Sequence, residues 1–166
     1  MIPAGNANPK FLISQLMAPD LVLEIPNDLS SIEEAVDTVV QRCTICQSHP
    51  RKLRLNLRVG LTEALANAML YGNDRDPSKR VRMEVAFHES AITARITDEG
   101  KGFDPFCIPD PTRPANIMKA CGRGIFLMRQ LLDEVHFNDQ GNSVTLVLNL
   151  VPEEEQQSGV EGGARA

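Results

Sequence analysis

The chain has no tryptophan and one tyrosine, and aromatic residues make up only 4% of its 166 positions. Leu, Ile, Val, Met and Ala must therefore build most of the core, and the length suffices for one domain to do so. A basic excess is also missing: 17 Lys and Arg stand against 22 Asp and Glu, a formal net charge of −5. That weighs against nucleic acid as a partner, because a phosphate backbone calls for a positive surface. No uninterrupted apolar run approaches the roughly 20 residues of a membrane span. The N-terminus, MIPAGNANPKFLISQLM, lacks a charged start followed by a long apolar core. No signal peptide is expected, and the protein reads as cytoplasmic, with neither membrane nor nucleic acid among its partners.

Four cysteines are present. Cys43 and Cys46 form CTIC, with His49 nearby, a spacing that serves a redox pair or half a zinc site. Cys107 and Cys121 lie apart in a Pro-rich segment and make no second CxxC. The plainer reading is free thiols at a helix end.

Periodicity supplies the elements. LVLEIP (21–26) reads as a strand. NDLSSIEEAVDTVVQRCTIC opens a helix in which Ser30 and Glu33 have capping-box spacing, with Ile32, Ala35, Val36, Val39 and Val40 at the 3.6 period. A second helix runs from about Arg51 to Leu70 and ends near Gly72 as a C-cap. VRMEVAFH (81–88) and AITARITD (91–98) alternate in the manner of strands and form a hairpin about Glu89 and Ser90. Asp98 shares parity with Ile92, Ala94 and Ile96, so it points to the buried face. A third helix, GRGIFLMRQLLDEV, is apolar on nearly every side and is expected to be central. VHFND, a turn at 140–142 and SVTLVLNLV make a second hairpin. The segment 99–121 is long and rich in Gly and Pro, which in a compact domain signals a functional loop or disorder.

Three pieces of this layout raise a chemical question. Glu63 and Asn67 sit four apart, and so on one face, in the otherwise apolar GLTEALANAMLYG. A buried carboxylate and amide are costly unless something satisfies them. Next comes DEGKGFD, with Asp98 ending a strand before Gly100 and Gly102. Last is GRGIF, with Gly122 and Gly124 opening a helix. Taken together they suit a nucleotide. Gly100 and Gly102 allow close backbone approach. Gly122 and Gly124 lie where free N–H groups and the helix dipole attract phosphate. Asn67 offers a hard oxygen ligand to Mg²⁺. Glu63 can accept a proton from an incoming hydroxyl. Asp98 can accept a hydrogen bond from an exocyclic amine such as that of adenine. The segment between the last two pieces would close over the phosphates as a lid.

This ordered set resembles the Bergerat-type (GHKL) ATPases, the group of gyrase, heat-shock chaperones, mismatch-repair proteins and histidine kinases. Its N box matches Glu63 to Asn67, its G1 box Asp98-x-Gly100-x-Gly102 and its G2 box Gly122-x-Gly124. Thr145, in GNSVTLVL, stands where that group has a threonine near adenine. The resemblance covers roughly residues 20 to 150. Within the group, GFDP…PDPT…GRGIFLMRQLLDEVHF.D.GN.VTL is most similar to the small bacterial anti-sigma-factor serine kinases. The resemblance implies a two-layer α/β sandwich: a mixed, mostly antiparallel sheet with helices on one face. It also implies ATP and Mg²⁺ as cofactors, a homodimer, a sigma factor held inactive, and phosphorylation of a serine on a STAS-type anti-anti-sigma protein. The expected organisation is a flexible N-terminus (1–18), an ATP-binding kinase domain (19–151) and a disordered tail (152–166).

Around this site, Arg123 is a candidate phosphate contact, while Lys101 is expected to face solvent and Tyr71 to pack at the helix end. Arg51, Arg54 and Arg58 form a basic stripe that serves either an acidic partner or a solvated face. Two other readings stand beside the kinase. One is a stand-alone histidine-kinase-like catalytic domain, which His49, His88 and His136 do not furnish with a phosphoacceptor on a dimerising helix pair. The other is a non-catalytic nucleotide-binding module that sequesters a sigma factor or another regulator, although such a module needs neither Glu63 nor Asn67.

Overall fold

The computed structural model describes residues 18–43, 51–104, 112 and 122–150. In chain order these form β1 (Leu21–Pro26), α1 (Ser31–Arg42), α2 (Arg51–Asn67), a π-helical turn (Ala68–Gly72), β2 (Arg80–Phe87), β3 (Ala91–Asp98), α3 (Arg123–Leu131), β4 (Glu134–Phe137) and β5 (Ser143–Asn149). The five strands make one sheet in the order β1-β2-β3-β5-β4. Every pairing among the described residues is antiparallel, so within them the sheet is antiparallel rather than mixed.

Strand alternation divides the sheet into two faces. Val81, Met83 and Val85 of β2, Ile92, Ala94 and Ile96 of β3, and Val144, Leu146 and Leu148 of β5 turn inward. They meet Ile32, Ala35, Val36 and Val39 of α1, Leu57, Leu61, Ala64 and Leu65 of α2, and Ile125 and Met128 of α3. Among the described residues no aromatic side chain is a fully buried member of this core, although Phe87 and Phe137 pack against it partly buried, in keeping with an aliphatic composition. The opposite face carries exposed ion pairs, Arg82 to Glu24 at 2.7 Å and Arg95 to Glu84 at 3.0 Å. Such pairs contribute at most about 1 kcal/mol each. The result is a two-layer sandwich with its helices on one face. No helix among the described residues is long and apolar enough to cross a membrane.

Several local expectations are corrected. Ser30 is itself helical in backbone conformation and makes no side-chain cap. Asp28 takes the role two residues earlier, its Oδ1 accepting from the Ser30 N–H at 2.9 Å. The third helix is not central, for Phe126 and Leu127 are exposed and only its Ile125–Met128 face is buried. Arg58 of the basic stripe pairs with Asp37 of α1, so part of that stripe joins two helices. Cys43 is buried and disulfide-bonded rather than free. The other cysteines, most of the lid segment 103–121, the N-terminal 17 residues and the tail 152–166 lie outside the described residues.

Candidate functional site

The end of α2 is where the site begins. The helix widens at Ala68 into a π-turn, in which the Asn73 N–H donates to the Ala68 carbonyl at 2.7 Å. Such local widening is frequent at functional sites. The turn brings Gly72 beneath the end of β3. A Cβ on Gly72 would lie 2.3 Å from Asp98 Oδ2, and one on Gly100 would lie 1.8 Å from the Gly72 carbonyl oxygen. Two glycines thus allow helix end and strand end to touch, with the Asp98 carboxylate held between them.

Asp98 is on the inward face, as parity requires, and is half-buried. The Gly100 N–H donates to its Oδ1 at 2.8 Å. Burial pushes its carboxyl above the ordinary value; the Gly100 hydrogen bond and the positive charge of Lys79 pull the other way without cancelling the rise. A desolvated carboxylate of this kind is ready to accept a hydrogen bond from a bound donor.

Beyond Asp98 a second pair of glycines interlocks. Gly102 and Gly141 both have positive φ, 79° and 75°. A Cβ on Gly102 would lie 1.8 Å from the Gln140 carbonyl oxygen, and one on Gly141 would lie 1.9 Å from that of Phe103. The chain leaving β3 is therefore locked against the β4–β5 turn. Phe103 stacks edge-on upon Phe137 with ring centroids 5.3 Å apart.

On the other side, α3 begins at Gly122, which has φ 103° and supplies no side-chain cap. The first intrahelical bond in this turn is from the Phe126 N–H to the Gly122 carbonyl at 2.9 Å. The N–H groups before it are the ones a helix start leaves free for an anion. Glu63 and Asn67 converge on this same start. A Cβ on Gly124 would lie 2.7 Å from Glu63 Oε2 and 3.1 Å from Asn67 Nδ2. Both side chains are half-buried rather than fully buried, and neither makes a hydrogen bond among the described residues.

These parts enclose a cavity of about 440 Å³, within the range of small-molecule sites. Asn67, Asp98, Gly102 and Gly122 line it. Gly100 and Gly124 stand directly behind it, Glu63 stands at Gly124, and Arg123 is exposed at the first position of α3. Thr145 is not brought to the cavity. It pairs with Arg95 and His136 in the register of β5, one residue out of phase with inward-facing Val144, and so lies on the outer face of the sheet. Asn142 and Ser143 line the cavity instead. So does Tyr71, which is 51% exposed rather than packed at the helix end. Lys101 is exposed but borders the cavity too. Asp74 and Lys79 also line it. In YGNDRDPSK they carry no motif, and only the way the turn folds back reveals them.

The amide oxygen of Asn67 suits Mg²⁺, which commonly takes one or two protein oxygens and completes its shell with phosphate and water. Among the described residues there is no group of three His, Cys, Asp or Glu side chains that would hold a metal by itself.

Comparison with known proteins agrees with this geometry. Residues 25–148 match the family model described as the histidine kinase-like ATPase domain. The chain is 27% identical over 106 residues to the serine-protein kinase RsbW of Oceanobacillus iheyensis, covering 60% of this chain and 67% of that one. It is 26% identical over 101 residues to the RsbW of Listeria monocytogenes, covering 55% and 62%. The anti-sigma F factor of Anoxybacillus flavithermus is 27% identical over 95 residues, covering 55% and 64%. The matched stretch thus spans about two thirds of each relative's own length. With a five-stranded sheet under three helices among the described residues, and the glycine-lined cavity at their junction, this chain belongs to the histidine kinase-like ATPase domain family.

Proposed function

We propose that this protein is an ATP-dependent serine-protein kinase and anti-sigma factor of a partner-switching pathway, and that it phosphorylates a serine of a STAS-type protein. The observation that carries the reading is the convergence of Glu63 and Asn67 on Gly124, at the start of α3, across the cavity from Asp98. The names of its relatives, serine-protein kinase and anti-sigma factor, point the same way.

In this reading Asp98 accepts a hydrogen bond from the adenine amino group. The N–H groups from Gly122 to Gly124 take the phosphates, with Arg123 beside them. Mg²⁺, when bound, neutralises charge on the β- and γ-phosphates, and Asn67 is the residue that would hold it. Glu63 accepts the proton of the substrate serine hydroxyl. The seryl oxygen forms its bond to the γ-phosphorus as the bond from that phosphorus to the β–γ bridging oxygen breaks, and ADP departs with those electrons. Little covalent work falls to the protein, so positioning and charge neutralisation supply most of the rate. Homodimer formation and residence in the cytoplasm belong to the same reading. So does a domain organisation with the kinase domain at 19–151 between two non-domain ends.

The test is label transfer. The purified chain is mixed with Mg²⁺, γ-labelled ATP and a panel of STAS proteins from the source organism, with Glu63→Ala as control. Acid-stable label on one partner, lost in the control, supports the kinase. ATP binding with no label on any partner favours the sequestering module. Label transferred by Glu63→Ala at the parent rate removes the general base.

A further inference from the structure

Behind the base-recognising end of the cavity lies a polar cluster that the reading above does not use. Asn73 is completely buried, an expensive place for an amide unless every group is paired. Here each is. Its Nδ2 donates to the Arg80 carbonyl at 2.9 Å and to Asn27 Oδ1 at 3.2 Å, and its Oδ1 accepts from the Glu99 N–H at 2.8 Å. Asn27 continues the chain, its Nδ2 donating to the Asp76 carbonyl at 2.9 Å and to that of Met69 at 3.4 Å. Two amides from distant parts of the sequence thus bind the π-turn, the start of β2 and the residue after Asp98 into one unit.

The unit also holds a conformation that the chain resists. Asp74 and Arg75 are consecutive non-glycine residues with φ of 52° and 58°. Left-handed backbone at such residues persists only where the surroundings impose it, and it gathers at functional sites. The Arg75 N–H is pinned to the Met69 carbonyl at 3.0 Å and the Asp76 N–H to the Asn73 carbonyl at 3.0 Å. Gly72, Asp74, Lys79 and Asp98, the residues that flank this network, all line the cavity.

We propose that Asn73, backed by Asn27, is a positioning residue for nucleotide-base selection: it sets the Asp98 carboxylate against the Gly72 floor so that a 6-amino purine is accepted and a 6-oxo purine refused. The proposal rests on the reading of Asp98 as the acceptor of the adenine amine. A 6-oxo purine offers a carbonyl oxygen to the same carboxylate, acceptor facing acceptor. Discrimination then depends on how firmly the carboxylate is fixed, because a mobile one swings aside and lets water bridge the pair.

The experiment measures binding of ATP and of inosine triphosphate to the parent protein and to Asp98→Asn, Asn73→Ala and Asn27→Ala, with melting temperatures alongside. The parent is expected to prefer ATP by about tenfold or more, the scale of a hydrogen bond to a charged group. In Asn73→Ala the ATP affinity falls and the preference shrinks to about threefold or less, with Asn27→Ala moving in the same direction by a smaller step. A folded Asn73→Ala that keeps the parent's preference overturns the proposal. Equal weakening of both nucleotides in step with a lower melting temperature also overturns it, since that is a structural role alone. Should Asn73→Ala fail to fold, Asn27→Ala decides by the same criteria. Failure of the underlying reading looks different. A parent without preference, or Asp98→Asn binding ATP as the parent does, removes Asp98 as the base contact before either asparagine variant is consulted, and the proposal falls with it.

Discussion

Replacing Gly100 by alanine would put a methyl group where the Gly72 carbonyl already stands. The added Cβ would lie 1.8 Å from the Gly72 oxygen, 2.6 Å from its carbonyl carbon and 2.9 Å from Asp98 Oδ1. Real Cβ atoms essentially never come within 3.0 Å of such neighbours, so the first contact is more than an ångström too close. Two of the three obstacles are backbone, and no change of rotamer relieves them. Helix end and strand end must separate, at a cost near the upper end of the ~1–3 kcal/mol typical of overpacking. At about 2–4 °C per kcal/mol for a chain of this size, the midpoint should fall by about 6–12 °C. Because Asp98 moves with the strand end, ATP binding should weaken in the same variant. Gly60→Ala is the internal control. The three atoms nearest its Cβ would all belong to the Leu132 side chain, Cδ1 at 2.7 Å, and a flexible terminus can shift. That variant should lose about 1 kcal/mol or less and keep its nucleotide affinity. The assays are calorimetric melting without ligand and titration with ATP. A Gly100→Ala protein that melts within about 2 °C of the parent and binds ATP equally well would refute the close approach of Gly72 and Gly100.

Two further outcomes follow from the same site. Burial raises the Asp98 carboxyl above its ordinary value, so its contribution to folding is fully present below the ordinary pKa of 3.8 and is lost as pH rises through the raised one. Asp98→Asn escapes that loss. Its melting temperature should gain on the parent between acid and neutral pH while ATP binding disappears, and a constant or shrinking gap across that range would contradict the desolvation argument. Asn67→Ala should remove the Mg²⁺ dependence of ATP binding, measured as the ratio of affinities with the cation and with a chelator; an unchanged ratio sinks the metal assignment.

The strands and helices were largely legible because each repeats one period long enough to exclude the other. Ile92, Ala94, Ile96 and Asp98 alternate without a break, and that parity alone puts Asp98 on the inward face. The misreadings have local causes. GIFLMRQLLDEV is apolar on nearly every side, and periodicity cannot tell a central helix from one that leaves Phe126 and Leu127 exposed. Ser30 and Glu33 have the spacing of a capping box, but Asp28 reaches the free N–H first. Thr145, placed by the resemblance near adenine, is turned by strand parity to the outer face, while Asn142 and Ser143, at the mouth of the strand, line the cavity.

By itself the sequence determined the strands and helices, the aliphatic core and the ordered candidate pieces of a nucleotide site, because patterning and the three glycine-bearing pieces depend only on spacing along the chain; the two-layer sandwich came from the resemblance those pieces carry. The tertiary structure alone decided what those pieces do to one another. That Gly100 lies on Gly72, that Glu63 and Asn67 meet at Gly124, and that Asn73 ties the Asp98 strand to a turn 26 positions earlier are contacts between segments far apart in sequence. In a linear reading Asn73 is one more polar residue after a helix. Only when the π-turn folds back beneath β3 does it become a fully buried amide with every hydrogen bond made, since a side chain's partners are fixed by the packing of whole elements and not by its neighbours in the chain.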